Sequence, residues 1–528
     1  MPVRPRVSKP LYYRVAEALK QIGSDLAFTV RLSYSGITLY SHLLKWVADM
    51  DTTQVNIQSL PAELIGRIMK FVVEGPGTVH GKSALSSFKL AVVCRQWREV
   101  ALSDSSLWRE IFFDYSKQTG RADDLLEMLE QYIQRAGSSM LSIIVATSRP
   151  IERQLPNLPE HDHPILRKLA GLSRRWEEAI LRIRPETVTA GGAFFQLHLP
   201  KLRSLTILND GGFALDFLPA ESGLQNCPSL VYASLEGNVP PPLTWATIQT
   251  LILVWYLPSD IHTTLQLLPL STKHLEIKNI FLYVGQAFHA SEVQDLTLPG
   301  VQVLRFSQEE GLENDHVDHE MLKAIFTKVT FPSVRELSVD MQPSRRPPVF
   351  LPWPLDAFAT VVGRCAASLT SLHLCHFTSS SAGIISILRQ APNLTELCLE
   401  SEPHSNESAS TIVEVLEGLL WDPSVHIGHW IVPLLQKLYI RFWRPRAAEV
   451  FRALFAFLAS RVLQDPDRTL LSHLHISFPQ TVPGEGVTKV LEQGTALFIP
   501  FVFAQWIHDH LQSFVENGLQ IICNEIWL

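Results

Sequence analysis

The stretch APNLTELCLE, residues 391–400, contains the pattern that decides the fold of this chain. Leu394, Leu397 and Leu399 follow the spacing apolar, two residues, apolar, one residue, apolar. Alternate residues of a strand lie on the same face, so the last two leucines predict a short strand with one buried face. The residues before Leu394 include a proline and predict a loop that enters this strand.

The same pattern recurs along the chain from about Leu199 onward, at irregular intervals of about 18 to 41 residues. The copies are Leu202-Leu205-Ile207, Leu230-Ala233-Leu235, Ile248-Leu251-Leu253, Val293-Leu296-Leu298, Val334-Leu337-Val339, Leu369-Leu372-Leu374, Leu435-Leu438-Ile440 and Leu471-Leu474-Ile476, with a weaker copy at Leu275-Ile277. Residues 354–368, 382–391 and 447–465 have helical apolar spacing and fill longer intervals. One repeat unit is therefore a strand, a loop, a helix and a segment that leads back to the next strand.

This arrangement resembles leucine-rich repeats of an irregular kind, and the resemblance implies a curved α/β solenoid with its strands on the concave side. A single unit cannot bury its own apolar face, so several units must stack. We expect the solenoid to span residues 199–482. The stretches MLSIIVATS (140–148) and EEAILRI (177–183) are candidate earlier strands within a connector of residues 115–198.

A different pattern precedes the repeats, in SLPAELIGRIMKFVV, residues 59–73. Pro61 suits the start of a helix, and Glu63 lies in the first turn, where the helix dipole favours negative charge. Leu64 and Ile68 recur at helical spacing, so a helix with a broad apolar face is expected.

The following stretch, EGPGTVHGKSAL (74–85), superficially matches a phosphate-binding loop. Such a loop needs four residues between its first glycine and the Gly-Lys pair, and it follows a buried strand. Neither Gly75 nor Gly77 has that spacing from Gly81, and the preceding residues predict a helix. We interpret the stretch as a loop that leaves a helix, and no nucleotide site is predicted.

Residues 86–113 predict two short helices with a bend, ended by the polar run 103–106. With the first helix, this segment resembles an F-box, and the motifs that carry the resemblance are LPAEL (60–64), Ile68, Leu90, VCRQWR (93–98) and Leu107-Trp108. The long loop of residues 74–86 departs from compact members of that family, and such insertions are common in its fungal members.

The resemblance implies that residues 56–114 form a small helical module that docks on a Skp-type adaptor and, through it, on a cullin. A segment of this length cannot bury all of its apolar side chains, which agrees with a docking role. The residues expected to bind the adaptor are Leu60, Pro61, Leu64, Ile65, Ile68, Leu90 and Val93. Those expected in the core of the module are Cys94, Trp97, Leu107 and Trp108.

Composition narrows the remaining function classes. The net charge is −7, without a Lys/Arg block, so nucleic-acid binding is not expected. Six cysteines in 528 residues are not a disulfide scaffold, and no signal peptide or membrane span is visible. We therefore expect a cytoplasmic or nuclear protein. The His373-x-Cys375-His376 motif lacks further ligands, so neither a metal nor another cofactor is predicted.

The target-binding residues are a prediction from residue type alone. Trp and Arg are enriched in binding hot spots, and aromatic side chains follow several of the predicted strands. From these we select Trp255, Tyr256, Trp443 and Arg444 as the candidate target surface.

The sequence thus predicts an α/β chain with five parts: an N-terminal helical segment (1–55), the F-box (56–114), the connector, the solenoid and a C-terminal helical cap (483–528). The expected function is non-enzymatic. It is the substrate-recognition subunit of a Skp-cullin-F-box ubiquitin ligase, which binds a target protein through the repeats. Two alternatives stay open. One is an F-box scaffold that binds the adaptor without ubiquitinating a target, and the other is a cytosolic enzyme whose helical segment mimics the motif.

Overall fold

The structure is a computed structural model that describes residues 60–74, 86–114, 122–146, 164–183, 197–209, 223–237, 243–256, 258–280, 294–308, 319–341, 354–376, 380–400, 406–420, 431–441, 447–463, 471–477 and 519–524. It divides into two units. Unit 1 comprises Met1–Phe113 and Leu126–Leu141, and unit 2 comprises Asp114–Leu125 and Ser142–Leu528. The predicted N-terminal helical segment, residues 1–55, lies outside the described residues.

Unit 1 begins with helix α1 (Ala62–Glu74), followed by α2 (Ser86–Ala91) and α3 (Arg95–Ser103). The carbonyl of Pro61 accepts hydrogen bonds from the N–H groups of Leu64 and Ile65 at 3.0 and 3.1 Å, which starts α1. The predicted helix and the predicted pair of short helices are confirmed. Residues 75–85 lie outside the described residues, but the element that precedes them is α1 and not the strand that a phosphate-binding loop follows.

The chain continues with a 3-10 turn (Ser105–Trp108), strand β1 (Glu110–Asp114) and helix α4 (Ala122–Ala136). Asp104 caps the turn, because its carboxylate accepts the Ser106 N–H at 3.0 Å. Lys70 of α1 pairs with the same carboxylate at 3.0 Å, which joins α1 to the turn.

The core of unit 1 is built around Trp108, which is fully buried. Its indole N–H donates to the carbonyl of Ala101 at 2.7 Å. The rings of Phe88 and Tyr132 meet Trp108 edge-on at 5.1 and 5.0 Å between centroids, and Arg135 lies 4.4 Å above the Trp108 ring. This cluster holds α2, the 3-10 turn and α4 together.

Unit 2 contains one sheet in which the strands follow each other in chain order, and every recorded strand pair from β3 onward is parallel. Its strands are β2 (Leu141–Ala146), β3 (Trp176–Ile183), β4 (Ser204–Asn209), β5 (Tyr232–Glu236), β6 (Thr250–Val254), β7 (His274–Lys278), β9 (Val303–Gln308), β11 (Glu336–Met341), β12 (Ser371–Cys375), β13 (Glu396–Glu400), β14 (Lys437–Arg441), β15 (His473–Ser477) and β16 (Gln520–Asn524). Strands β8 (Leu296–Thr297) and β10 (Val329–Thr330) form a separate parallel pair.

Helices occupy the intervals between the strands. They are α5 (Pro164–Gly171), α6 (Pro258–Gln266), α7 (His319–Lys328), α8 (Leu355–Cys365), α9 (Ser381–Arg389), α10 (Asn406–Gly418) and α11 (Ala447–Leu458), which continues into a π-helical turn (Ala459–Leu463). The three helical intervals predicted from the sequence correspond to α8, α9 and α11 and are confirmed.

The apolar pairs of the sequence pattern form two ladders across the sheet. Leu397 of β13 is in register with Leu372 of β12 and Leu438 of β14, and Leu399 is in register with Leu374. All five side chains are buried. The helices cover this side of the sheet, since Phe306 of β9 meets Phe326 of α7 at 5.0 Å and Phe326 meets Phe358 of α8 at 5.7 Å. The α/β solenoid-like fold predicted from the repeats is confirmed.

Polar side chains just before the strands join successive units. Ser368 Oγ donates to the Val334 carbonyl of the preceding unit at 2.8 Å, and Ser229 Oγ donates to the Pro200 carbonyl at 2.9 Å. Thr272 takes the place of the leading apolar residue before β7, and its Oγ1 donates to the Ile248 carbonyl at 3.0 Å. This polar replacement explains why the copy at Leu275-Ile277 is the weaker one in the sequence.

One predicted repeat strand is placed differently. The copy at residues 293–298 forms only the two-residue β8, which pairs with β10 outside the main sheet. The strand of that unit in the main sheet is β9, where Leu304 and Phe306 continue the two ladders. Residues 301–306 have the same apolar spacing, and two overlapping copies so close together cannot both enter one sheet.

The last part of the predicted C-terminal helix contains a strand. Residues 520–524 form β16, in which Ile521 pairs with Leu474 and Cys523 with Ile476. Three residues before Ile521 the chain has Gly518 in place of the leading apolar residue, so the pattern did not predict a strand here. Residues 483–518 of the predicted cap lie outside the described residues.

Candidate functional site

The first candidate surface is the outward side of α1 in unit 1. Helix α1 is apolar on two sides: Ile65 and Met69 are fully buried, whereas Leu64 is 44 % exposed. Pro61 is also exposed, and Ile68 is half-buried. Residues three, four and seven apart share a helix face, so Pro61, Leu64 and Ile68 form one apolar strip away from the core.

Val92, in the turn between α2 and α3, is a further apolar side chain of unit 1 that is 69 % exposed. Gln96 Nε2 donates to the Leu60 carbonyl at 2.8 Å, which holds the start of α3 beside the start of α1. We call Pro61, Leu64, Ile68 and Val92 the module face. Val92 is not among the residues predicted to bind the adaptor, because the bend that exposes it depends on the register of α2 and α3.

Two of the residues predicted to bind the adaptor lie inside the unit. Ile65 is fully buried and Leu90 is 8 % exposed, so neither offers a surface to a partner. Leu60 and Val93 are half-buried. The predicted contact set is therefore too wide, because residues at positions i and i+1 of one helix face different directions and cannot all point outward.

The residues predicted for the core of the module lie as follows. Trp97, Leu107 and Trp108 are buried. Cys94 is half-buried and immediately precedes α3, in extended backbone. The module face and the buried core of unit 1 thus use different residues of the same short helices.

The second candidate surface is the side of the sheet opposite the helices, which we call the outer sheet face. It is formed by the alternate residues of each strand, and from β7 onward many are charged. These charges pair with each other within β7 and between neighbouring strands, so that positive and negative side chains offset one another. The ion pairs are Glu276–Lys278 at 3.1 Å, Arg305–Glu336 at 2.6 Å and Glu396–Lys437 at 3.5 Å.

A partly buried charged cluster lies at the carboxyl end of four of these strands, with His376 and Glu400 buried. His376 Nδ1 lies 2.9 Å from Asp340 Oδ1, and His376 Nε2 lies 3.3 Å from Glu400 Oε1. Arg441 pairs with Glu400 at 3.2 Å. Burial disfavours the charged imidazole, but the hydrogen bonds to Asp340 and Glu400 outweigh it and raise the pKa of His376 to about 9.

The same contacts act on the carboxylate of Glu400. Burial raises its pKa, but hydrogen bonding to His376 and the charges of His376 and Arg441 together hold the pKa below its ordinary value. The cluster is thus a charged link across β11 to β14 at neutral pH.

The three residues of the His373-x-Cys375-His376 motif lie on one face of the sheet, but His376 contacts carboxylates there. His373 and Cys375 share the outer sheet face, as strand alternation predicts. His376 lies beyond the strand with φ of +52°, and this left-handed turn brings its ring back to Asp340 and Glu400 on that same face. Among the residues that the structure describes, no three or more His, Cys, Asp or Glu side chains are arranged to hold a metal ion.

The aromatic residues predicted to bind a target are not brought together. Trp255 has φ of +56° and is half-buried directly after β6. This turn sends the next residue, Tyr256, inward, where its side chain is fully buried, so Tyr256 does not belong to a target surface. Trp443 and Arg444 lie outside the described residues.

Comparison with protein families agrees with the helical module at the start of the described residues. Residues 57–114 match the model of the F-box-like family. The chain matches none of the curated proteins with which it was compared. Among solved structures it is similar to the leucine-rich repeat-containing protein LegL7 from Legionella pneumophila, with 13 % identity, a TM-score of 0.30, and coverage of 54 % of this chain and 77 % of that one.

The F-box-like match covers about a tenth of the chain, so it identifies the module and not the whole protein. None of the described helices is both long and apolar enough to cross a membrane. The module and the leucine-rich-repeat-like sheet fit a protein-interaction adaptor.

Proposed function

We propose that the chain is the substrate-recognition subunit of a Skp-cullin-F-box ubiquitin ligase that works in the cytoplasm or nucleus. Unit 1 binds a Skp-type adaptor, which links it to a cullin, and the sheet of unit 2 binds the target protein. The observation that carries the proposal is the F-box-like match at residues 57–114, whose first helix leaves Leu64 exposed.

The physical support comes from the module face. An apolar face that includes a Leu at 44 % exposure and a Val at 69 % exposure costs free energy in water and is stabilised when a partner covers it. Each apolar side chain that becomes fully buried contributes about 1.5–3 kcal/mol. A few such residues suffice for a stable docking contact on a small module.

The mechanism requires no chemistry from this chain. An adaptor held by unit 1 and a target held by unit 2 would bring a target lysine close to the charged ligase, which raises its effective concentration. The proposed role is therefore non-enzymatic, and no cofactor enters it.

The test is capture of a purified Skp-type adaptor by the full chain and by the Leu64→Asp variant. We expect capture by the parent and none by the variant, because a buried unpaired carboxylate is costly. Leu267→Asp is the matched control, since Leu267 is 43 % exposed and lies in unit 2. Equal capture by Leu64→Asp, or no capture by the parent, would overturn the proposed docking.

The scaffold alternative differs from the receptor only in whether a bound target is ubiquitinated. Reconstitution with the adaptor, the cullin–RING ligase and a candidate target distinguishes the two functions. Ubiquitinated target supports the receptor, and an assembled complex without transfer to any bound partner supports the scaffold.

A further inference from the structure

An excess of positive charge marks the beginning of strands β3 and β4. The described residues 164–183 and 197–209 contain seven Lys or Arg residues and two Glu residues. The whole chain has 45 Lys and Arg residues against 52 Asp and Glu residues, with a net charge of −7. The excess is therefore local and opposite in sign to the charge of the protein.

Three of these cations are exposed and unpaired. The side chains of Arg174, Lys201 and Arg203 are exposed. None of the three has an ion pair or a side-chain hydrogen bond within the part of the chain that the structure describes. The other four cations, at positions 167, 168, 175 and 182, interact with neighbouring groups.

The strand register brings the three cations to one edge of the sheet. The N–H of Arg203 donates to the carbonyl of Glu177 at 2.8 Å, and Lys201 lies two residues earlier. Arg174 belongs to the 3-10 turn (Ser173–Arg175) that enters β3. Adjacent strands are about 4.8 Å apart, so Arg203 lies about one strand spacing from Glu177, which follows Arg174 by three residues.

Glu177 is the carboxylate nearest to this group in the chain. It is half-buried and forms no ion pair with Arg203 among the described residues, so it leaves the three cations with a net positive charge. We call Arg174, Lys201 and Arg203 the edge patch.

We propose that the edge patch binds an acidic, Asp- and Glu-rich segment of a protein partner. The inference rests on the proposed function, since that partner would be the target. Three exposed cations on adjacent backbone segments attract carboxylates that are spread along a chain, and their potential is not cancelled locally. On the outer sheet face from β7 onward, by contrast, the charges are already paired with each other.

Two other anions fit the patch less well. A single phosphate is held by convergent donors of a preorganised fork or a backbone cradle, whereas the three side chains here are exposed on separate segments. Nucleic-acid sites neutralise about six to ten phosphates, more than three cations provide, and the net charge of −7 opposes that binding.

The experiment measures binding of a short fluorescein-labelled peptide of alternating Asp and Glu to the full chain by fluorescence anisotropy. The peptide of alternating Asn and Gln is the neutral probe. We expect binding of the acidic peptide only, with an affinity that falls as salt rises. The triple variant Arg174→Glu, Lys201→Glu, Arg203→Glu should lower the affinity by about tenfold or more, because each change replaces attraction by repulsion.

The matched control is the double variant Lys273→Glu, Arg335→Glu. Lys273 and Arg335 are exposed cations that occupy the position of Arg203 before β7 and β11, and the uncharged Gln302 before β9 lies between them. We expect this variant to retain most of the affinity. An equal loss in the control would show a general charge effect and overturn the proposal, as would binding of the neutral peptide.

Competition experiments identify the class of ligand that binds the edge patch. Displacement of the acidic peptide by millimolar inorganic phosphate would contradict an acidic protein segment as the ligand. Tighter binding of a single-stranded RNA probe would contradict it as well. Adaptor capture by the triple variant keeps the two proposals apart, because the edge patch lies in unit 2 and the module face in unit 1. Loss of peptide binding with adaptor capture intact supports the edge patch, whatever the outcome of ligase assembly.

Discussion

His376 Nδ1 lies 2.9 Å from Asp340 Oδ1, although His376 follows β12 and Asp340 lies within β11. The contact depends on the left-handed backbone at His376, with φ of +52°. A second hydrogen-bonded contact, 3.3 Å to Glu400 on β13, places the ring between two carboxylates. The imidazole thus links three successive strands of the sheet through charge.

The first prediction concerns the pH dependence of stability. The pKa of His376 is about 9 in the folded protein and about 6.5 in the unfolded chain, so folding favours the protonated ring. The stabilisation is fully present below about pH 6.5 and is lost as the pH rises through about 9. The melting temperature should therefore fall between pH 6.5 and 9.5.

His376→Asn removes the charged ring with a residue that tolerates left-handed backbone. We expect it to lower stability by about 2–3 kcal/mol at pH 6.5 and to flatten the pH dependence. His475→Asn is the control, because burial lowers the pKa of His475, so folding disfavours its protonated ring, which is the opposite of His376. A wild-type slope that survives in His376→Asn would refute this role.

A second prediction concerns the edge of the module face. Val92→Asp should weaken adaptor capture about tenfold without unfolding unit 1, because Val92 is 69 % exposed and the change removes little buried apolar surface. Leu102→Asp, at 47 % exposure on α3 and outside the module face, should leave capture unchanged. Pull-down yields at equal folded protein, checked by circular dichroism, decide the comparison.

A third prediction separates the indole hydrogen bond of Trp108 from its packing. Trp108→Phe loses the 2.7 Å bond to Ala101 but keeps an aromatic ring, and should cost about 1 kcal/mol. Trp108→Ala also removes the ring contacts with Phe88 and Tyr132 and should lower the free energy of unfolding by about 3–5 kcal/mol. Urea unfolding of the full chain, followed by near-ultraviolet circular dichroism, measures both. Similar losses for the two variants would mean that the hydrogen bond dominates.

A fourth prediction tests a close backbone approach in unit 2. A Cβ atom at Gly300 would clash with the carbonyl oxygen of Leu270 and lie 2.8 Å from that of Thr272. Gly300→Ala should therefore lower stability by about 1–3 kcal/mol, since backbone atoms cannot move aside. Gly171→Ala is the control, because a Cβ there meets open space, and it should be neutral or slightly stabilising. Differential scanning fluorimetry compares the two, and equal melting temperatures would contradict the close approach.

The repeat pattern predicted the ladders because its spacing is set by local geometry. Leu397 and Leu399 must share a face of any strand that contains them, and the same holds in each copy. The pattern could not decide between residues 293–298 and 301–306, since both have the required spacing. Only the pairing of β9 with β7 and β11 selects the second.

The candidate sites show the same division between what the sequence predicts and what only the packing determines. Apolar spacing marked Leu64, Ile65 and Ile68 alike as one broad face, and packing against the rest of unit 1 buried Ile65 and left Leu64 exposed. Residue type suggested Tyr256 as a contact residue, but a turn with positive φ at Trp255 sends it inward. The edge patch depends on the register of β3 and β4, which brings together cations that are distant in sequence.

The sequence by itself determined the two-part organisation of this protein, a helical module followed by stacked strand–helix units, because apolar periodicity is a local property of each segment. The tertiary structure decided which apolar residues stay outside, which copy of the pattern enters the sheet and where charges meet. These outcomes depend on contacts between residues tens of positions apart, and no local pattern records which of two equivalent faces its neighbours will cover.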